Sequence, residues 1–134
     1  MKLIQAQNYA VAAMVQLAAN QSKEPLSAIA ICERVPLPLS FLQQLLRELT
    51  TAGLVESRQG KHGGFQLARP AAQITLHDIV DAVKGGLKRQ PVEIAGLSLG
   101  STKAVQRAVD AIDASIRKEL GAITLANLQP AKGA

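Results

Sequence analysis

Five side chains in the stretch LPLSFLQQLLRELTTAGLV have types and spacing suited to chemistry: Ser40, Gln43, Gln44, Arg47 and Thr51. At about 100° per residue they share one arc of a helix, and Leu42, Leu45, Leu46 and Leu49 share the opposite arc. The polar arc is long and rich in hydrogen-bonding groups, with Arg47 as its one cation. A face that only meets water would usually hold more Lys and Glu. Glutamine can bond adenine bidentately in the major groove, and Arg or Ser can hold phosphate. A second group follows in SRQGKHGG, where Arg58, Lys61 and His62 surround glycines that permit a tight turn. The Gly-Gly pair also suits a phosphate loop, but neither Walker spacing nor a following helix accompanies it. A flexible hairpin tip is the plain reading. After a recognition helix, the same tip can reach DNA.

The elements that must position these groups run from Leu26 to Leu67: a short helix, a tight turn, the polar-faced helix, and two strands around the glycines. That order is a winged helix-turn-helix. Ser27 is placed to cap a helix over Ala28–Val35, with Ile29, Ala30 and Cys32 toward the core. Pro36 and Pro38 bracket the turn, and the second suits a helix start because its missing N–H costs nothing there. The recognition helix is expected to run to about Ala52, with Gly53 in a left-handed cap. Leu54–Arg58 and Gly64–Ala68 are the expected wing strands, ended by Arg69-Pro70.

Before this unit, residues 4–20 form a helix whose Ala6, Ala10, Ala13, Met14, Leu17 and Ala18 recur on one side. After it, Thr75 and Asp78 have the spacing of a reciprocal cap. Leu76, Ile79, Val80 and Val83 make the apolar side of that helix, and Gly85-Gly86 stop it. A helix of about 30 Å is expected from Ser101 to Leu120. Its Val105, Val109, Ile112, Ile116 and Leu120 follow 4-3-4-4 spacing. Such a stripe either covers the domain's own core or forms a dimer seam, and a long late helix of this kind favours the seam. Gly121 ends it, and ITLANL is a short returning segment. The expected division is therefore a DNA-binding unit over 1–85, a connecting loop over 86–100, a dimerisation helix with its return over 101–128, and a disordered tail over 129–134. The fold class is mainly α with a small β-hairpin wing.

Composition agrees. The chain has 134 residues, 48% hydrophobic and 19% charged, which fits one globular domain with a sizeable core. Aromatics are only 2%, so the apolar content is mostly Ala, Leu, Val and Ile. The net charge is +5. Residues 1–90 hold ten Lys and Arg against six Asp and Glu, leaving the excess beside the polar-faced helix. No apolar run approaches the ~18 residues of a membrane span, and the N-terminus lacks the pattern of a secretory leader. The single cysteine excludes an internal disulfide and suits a reducing cytoplasm.

Cys32 reads first as a small hydrophobe; a sensing thiol or an intermolecular disulfide is the alternative, and Arg34 could activate it only if the sulfur is exposed. His62 and His77 lie on different elements and bring no carboxylate partners for a metal site. His77, near a helix start, is expected to face solvent. No nucleophile elbow, HExxH, nucleotide loop or paired acids are present, so an enzyme is not expected. Two binding roles compete. One is a sequence-specific DNA regulator; the other is a winged-helix protein adaptor, or a regulator controlled by a partner protein. An adaptor would more often present an apolar patch where the glutamines stand.

The order LSAIA-ICER, LPLSFLQQLLRELTTAGLVES, GGFQLARPAAQITLHDIVDAVKG, long helix and ITLANL resembles a family of winged-helix regulators across nearly the whole chain. That family includes the iron–sulfur cluster regulator IscR, the nitric-oxide sensor NsrR and the cysteine-metabolism regulator CymR. The opening NYAVAAM resembles its GRYA-type first helix. The resemblance implies a homodimeric repressor or activator with two recognition helices in successive major grooves. It also implies wing tips at the minor groove and a dimer made mainly by the long helix. Under it, Tyr9 and Phe41 join Ser40, Gln43, Gln44, Arg47, Arg58, Lys61 and His62 as DNA-contacting residues. The partners are then double-stranded DNA and a second copy of the chain; a small-molecule or protein effector is left open.

Two departures stand out. The sensing members hold a cluster with three cysteines between the fourth helix and the dimerisation helix. Here the corresponding positions are Val92, Ser98 and Ala104, and none can replace a thiolate, so no cofactor is expected. The family's wing tip often reads R-G-P-G-G-G-Y, whereas this one reads QGKHGGF. The arginine is displaced to Arg58, or its role passes to Lys61 and His62.

Overall fold

The computed structural model describes residues 3–20, 22, 24–83 and 91–130. Alanine-rich α1 (Gln5–Ala19) buries Ala10, Ala13, Met14 and Leu17 along one side, and the small side chains let its neighbours pack close. Its buried Gln7 reaches back so that its side-chain oxygen accepts from the Ile4 N–H at 3.0 Å, closing the helix start. Next comes α2 (Ala28–Cys32), capped by Ser27, whose hydroxyl accepts from the Ala30 N–H at 3.1 Å. This helix is shorter than the expected Ala28–Val35, and its phase differs. Ile31 is fully buried and Ile29 is 62% exposed, because the core is met by Ile31 and Val35, one turn apart. Cys32 is half-buried against the core.

Helix α3 (Leu39–Thr51) buries Leu42, Leu45, Leu46 and Leu49 as its leucine arc requires. Gly53 adopts φ +78° just beyond it, and Leu54 N–H returns to the Leu49 carbonyl at 3.0 Å. Strands β1 (Val55–Arg58) and β2 (Gly64–Leu67) pair antiparallel in the register Val55 with Leu67 and Arg58 with Gly64. Leu26 adds a third rung, exchanging backbone hydrogen bonds of 2.7 and 2.9 Å with Phe65. The wing is thereby tied to the segment that leads into α2.

After a 3-10 turn at Ala71–Gln73 comes α4 (Leu76–Ala82), with the reciprocal Thr75–Asp78 cap at 2.9 and 3.0 Å. Its Ile79, Val80 and Val83 are buried. The stop expected at Gly85-Gly86 lies outside the described residues. The last long helix, α5, spans Leu99–Ala122. It begins two residues before Ser101 because the Ser98 hydroxyl caps it, accepting from the Ser101 N–H at 3.2 Å, and it runs through Gly121. The return is a second 3-10 turn at Leu125–Leu128. Thr124 pairs with Thr75, and the Leu125 N–H bonds the Ile74 carbonyl at 2.8 Å. Leu125 is fully buried in the core shared by α1, α3 and α4. The last residues of the expected disordered tail, 131–134, lie outside the described residues.

The docking of α5 is uneven. Its C-terminal end is fixed, with Leu120 buried and Ile116 half-buried against its own protomer. Toward its start, Val105, Val109 and Ile112 are 37%, 42% and 61% exposed. The side of α5 that the protomer itself covers is mostly polar: Thr102, Gln106, Asp110, Asp113 and Arg117 are all half-buried. Arg117 pairs with Asp113 at 2.9 Å and lies 3.4 Å from His77 Nε2. His77 is therefore half-buried against α5 rather than turned to solvent, because α4 starts beneath this helix.

Candidate nucleic-acid interface

The leucine arc fixes the roll of α3, so Ser40, Gln43, Gln44, Arg47 and Thr51 all lie exposed on its outer side. Pro38 precedes the helix and offers no side-chain acceptor, which leaves the first-turn amides uncapped beside Ser40. The hairpin stands against this outer face. Between them is an open cleft of about 430 Å³ lined by Gln43, Arg47, Thr50, Thr51, Ser57, Gln59 and Phe65. Side chains alternate across a strand, so Ser57 turns toward α3 while Glu56 and Arg58 take the other face of the hairpin. On that other face, Glu56 accepts from Gln66 Nε2 at 3.1 Å. Arg58 is exposed but is not brought to the cleft.

A second cleft, of about 370 Å³, joins the start of α1 to the start of α3 through Gln5, Tyr9, Pro38, Ser40 and Phe41. Tyr9 and Phe41 meet edge to face, with ring centroids 5.8 Å apart and planes at 84°. Gln5 Nε2 donates to the Tyr9 hydroxyl at 3.4 Å. Tyr9 and Phe41 are thus held together beside Ser40, at one end of the glutamine row.

Lys61 and His62 lie exposed at the hairpin tip. His62 Nδ1 is 4.0 Å from Glu24 of the α1–α2 connection, with both side chains largely in water. The glycines beside them are structural. A Cβ on Gly63 would strike the Arg58 carbonyl, and one on Gly64 would strike the Leu26 carbonyl, where the backbone also has φ +152°. The Gly-Gly pair is therefore explained by close backbone approach, and a phosphate loop is not needed.

Of the nine residues expected to face DNA, Ser40, Gln43, Gln44 and Arg47 form one continuous row, Tyr9 and Phe41 stand at its end, and Lys61 and His62 at the wing tip. Only Arg58 turns aside. Sequence reasoning missed Gln5, Thr50, Ser57 and Gln59. The alternation of β1 signals Ser57, since it shares the side of buried Val55. No pattern within α1 marks Gln5, which is placed by the packing of α1 on α3.

Among the described residues, no three His, Cys, Asp or Glu side chains gather as a metal site. At the three positions that the family resemblance aligns with cluster cysteines, the Val92 N–H donates to Gln106, Ser98 caps α5, and Ala104 is an exposed methyl. Such donors do not fit a thiolate-ligated cluster.

Comparison with known proteins bears on the whole chain. The sequence profile of the Rrf2 family, described as an iron-dependent transcriptional regulator, matches residues 3–131. A candidate HTH-type transcriptional regulator of Neisseria meningitidis is 35% identical over 129 residues, 96% of this chain and 87% of its own. One from Mycobacterium tuberculosis is 34% identical over 122 residues, 90% of this chain and 76% of its own. Among solved structures, CymR, the global cysteine regulator of B. subtilis, superposes with a TM-score of 0.74 at 28% identity, covering 96% of this chain and 95% of that one. IscR from T. potens superposes at 0.73 with 35% identity, covering 96% and 85%. With a helix-turn-helix, a hairpin wing and a long final helix in the order these relatives share, this chain belongs to the Rrf2 family of DNA-binding transcriptional regulators.

Proposed function

We propose that the chain works in the cytoplasm as a homodimer that recognises an inverted-repeat operator, with α3 reading bases and the wing holding the backbone, and without an iron–sulfur cluster. The observation that carries the reading is the continuous exposed row Ser40, Gln43, Gln44 and Arg47 opposite a fully buried leucine arc. Glutamine supplies a donor and an acceptor at one tip, which is what adenine's major-groove edge requires. Uncapped amides at the start of α3 suit a phosphate oxygen, and Tyr9 and Gln5 stand beside them. Lys61 at the tip adds sequence-independent attraction.

The dimer is supported by α5. Its protomer covers the half-buried polar side and leaves Val105, Val109 and Ile112 in water, the reverse of what an isolated monomer favours. A second copy would cover that seam, and a two-fold pair would set two recognition helices one DNA turn, or a small multiple, apart.

Two variants test the reading. Gln43→Ala is expected to cost about 1–3 kcal/mol on the cognate duplex and to relax preference at one symmetric position. Lys61→Ala is expected to weaken cognate and scrambled duplexes alike and to make the salt dependence shallower. The assay is competition between these duplexes, using an operator selected from genomic fragments by the wild-type protein. If Gln43→Ala keeps full discrimination, α3 is not the reader and a protein-adaptor role becomes the better account.

A further inference from the structure

The matching family profile is described as iron-dependent, yet Val92 and Ser98 before α5 and Ala104 within it lack the donors for a cluster. A different contact holds residue 92 of that segment to α5. The Val92 N–H donates to Gln106 Oε1 at 2.6 Å, across fourteen residues. The same side chain's Nε2 donates to Asp110 Oδ1 at 2.9 Å, one turn further along α5. Both ends of the amide are engaged, so its orientation is fixed and the oxygen is turned toward the backbone of the segment. Gln106 is half-buried on the side of α5 that the protomer covers, away from the exposed Val105–Val109–Ile112 seam. At the other end of the segment, Ser98 caps α5 with the hydroxyl that stands where a relative would hold a thiolate.

We infer that Gln106 is a positioning residue that latches residues 91–98 onto α5, replacing metal ligation as the organiser of this segment, so that the folded form of this family member does not depend on iron. The latch is made of one side chain and one backbone amide, and it is complete in the free protein. Iron has nothing to add at Val92, Ser98 or Ala104. The arrangement predicts a regulator in which residues 91–98 are constitutively ordered. Any signal it answers would enter elsewhere.

Hydrogen exchange of the full-length, metal-free protein tests this without DNA, so its failure leaves the operator reading untouched. The Val92 amide should be protected in the wild type. Gln106→Leu, close in size and compatible with a helix, should raise its exchange about tenfold, with α4 and the last two turns of α5 unchanged. Gln106→Glu keeps an acceptor for the amide and should fall between them. Ferrous iron plus sulfide, added without oxygen, should alter neither the exchange nor the absorbance, and the protein should stay colourless with no stoichiometric iron. Exchange at the intrinsic rate in the wild type would overturn the latch, as would an unaltered Val92 in Gln106→Leu. Uptake of iron with new protection of residues 91–98 would overturn its independence from metal. If Gln106→Leu does not fold, the wild-type protection and the Gln106→Glu protein still decide.

Discussion

Replacing Ile112 with lysine isolates the part of α5 that the protomer leaves uncovered. Ile112 is 61% exposed, so its removal disturbs little within one chain, and the helical circular dichroism should stay close to wild type. Fully burying an isoleucine is worth about 1.5–3 kcal/mol, so covering the exposed part contributes about 1–2 kcal/mol per copy. In a two-fold dimer each substitution counts twice, which makes the loss about 2–4 kcal/mol, or roughly 30-fold to several-hundred-fold in dissociation constant. Lysine adds a charge that must snorkel out of the interface or be desolvated within it, and both effects weaken pairing further. Ile112→Ala removes apolar contact without the charge and should give a smaller, graded effect. Sedimentation equilibrium over a concentration series reads both. A soluble Ile112→Lys protein whose dimer dissociates within tenfold of wild type would refute the assignment of the seam. An unfolded variant would also contradict the premise that this residue lies outside the protomer's core.

Two further substitutions test how the interface is held. Gly64→Ala places a methyl against the Leu26 carbonyl at a left-handed φ, so the wing must shift or separate from Leu26. A loss of about 1–3 kcal/mol in urea unfolding is expected, together with weaker DNA binding of every sequence; unchanged stability would mean that the Leu26–Phe65 rung is dispensable. Thr75→Ala removes an acceptor at the start of α4 and should cost about 1 kcal/mol, seen as a lower midpoint at constant m-value.

What the sequence revealed and concealed follows from which forces act locally. Helix α3 was legible because thirteen residues of strict leucine periodicity leave only one roll, and the wing because glycines and alternation confine a hairpin. The Thr75–Asp78 cap was legible for the same reason: both partners lie within one turn. Helix α2 was not. Five residues carry too little periodicity to fix a phase, and Ile29 and Ile31 are equally apolar; only the turn to Val35 chooses Ile31. His77 looked like a surface residue because its partner, Arg117, is forty positions away. The facing of Arg58 was likewise not legible from its charge. Its charge and place beside the wing suggested a DNA contact, but strand parity turns it to the opposite face from Ser57.

The apolar stripe of α5 only partly serves its own protomer. Five apolar residues at 4-3-4-4 spacing could serve a core or a dimer, and the helix divides them. Leu120 and Ile116 lie against their own protomer, where Thr124, Leu125 and the start of α4 fix the end of the helix. Val105, Val109 and Ile112 do not. One continuous helix therefore joins the helix-turn-helix unit to the exposed Val105–Val109–Ile112 seam, and no break separates the buried residues from the exposed ones within its span. The polar row on its covered side adds directional ties, from Arg117 to α4 and from Gln106 to the connecting segment. Hydrogen bonds specify angle where apolar contact specifies only proximity. In a dimer built on this helix, the spacing of the two recognition helices would be set by these ties, and the length of the operator's central spacer is the quantity that would report any loosening of them.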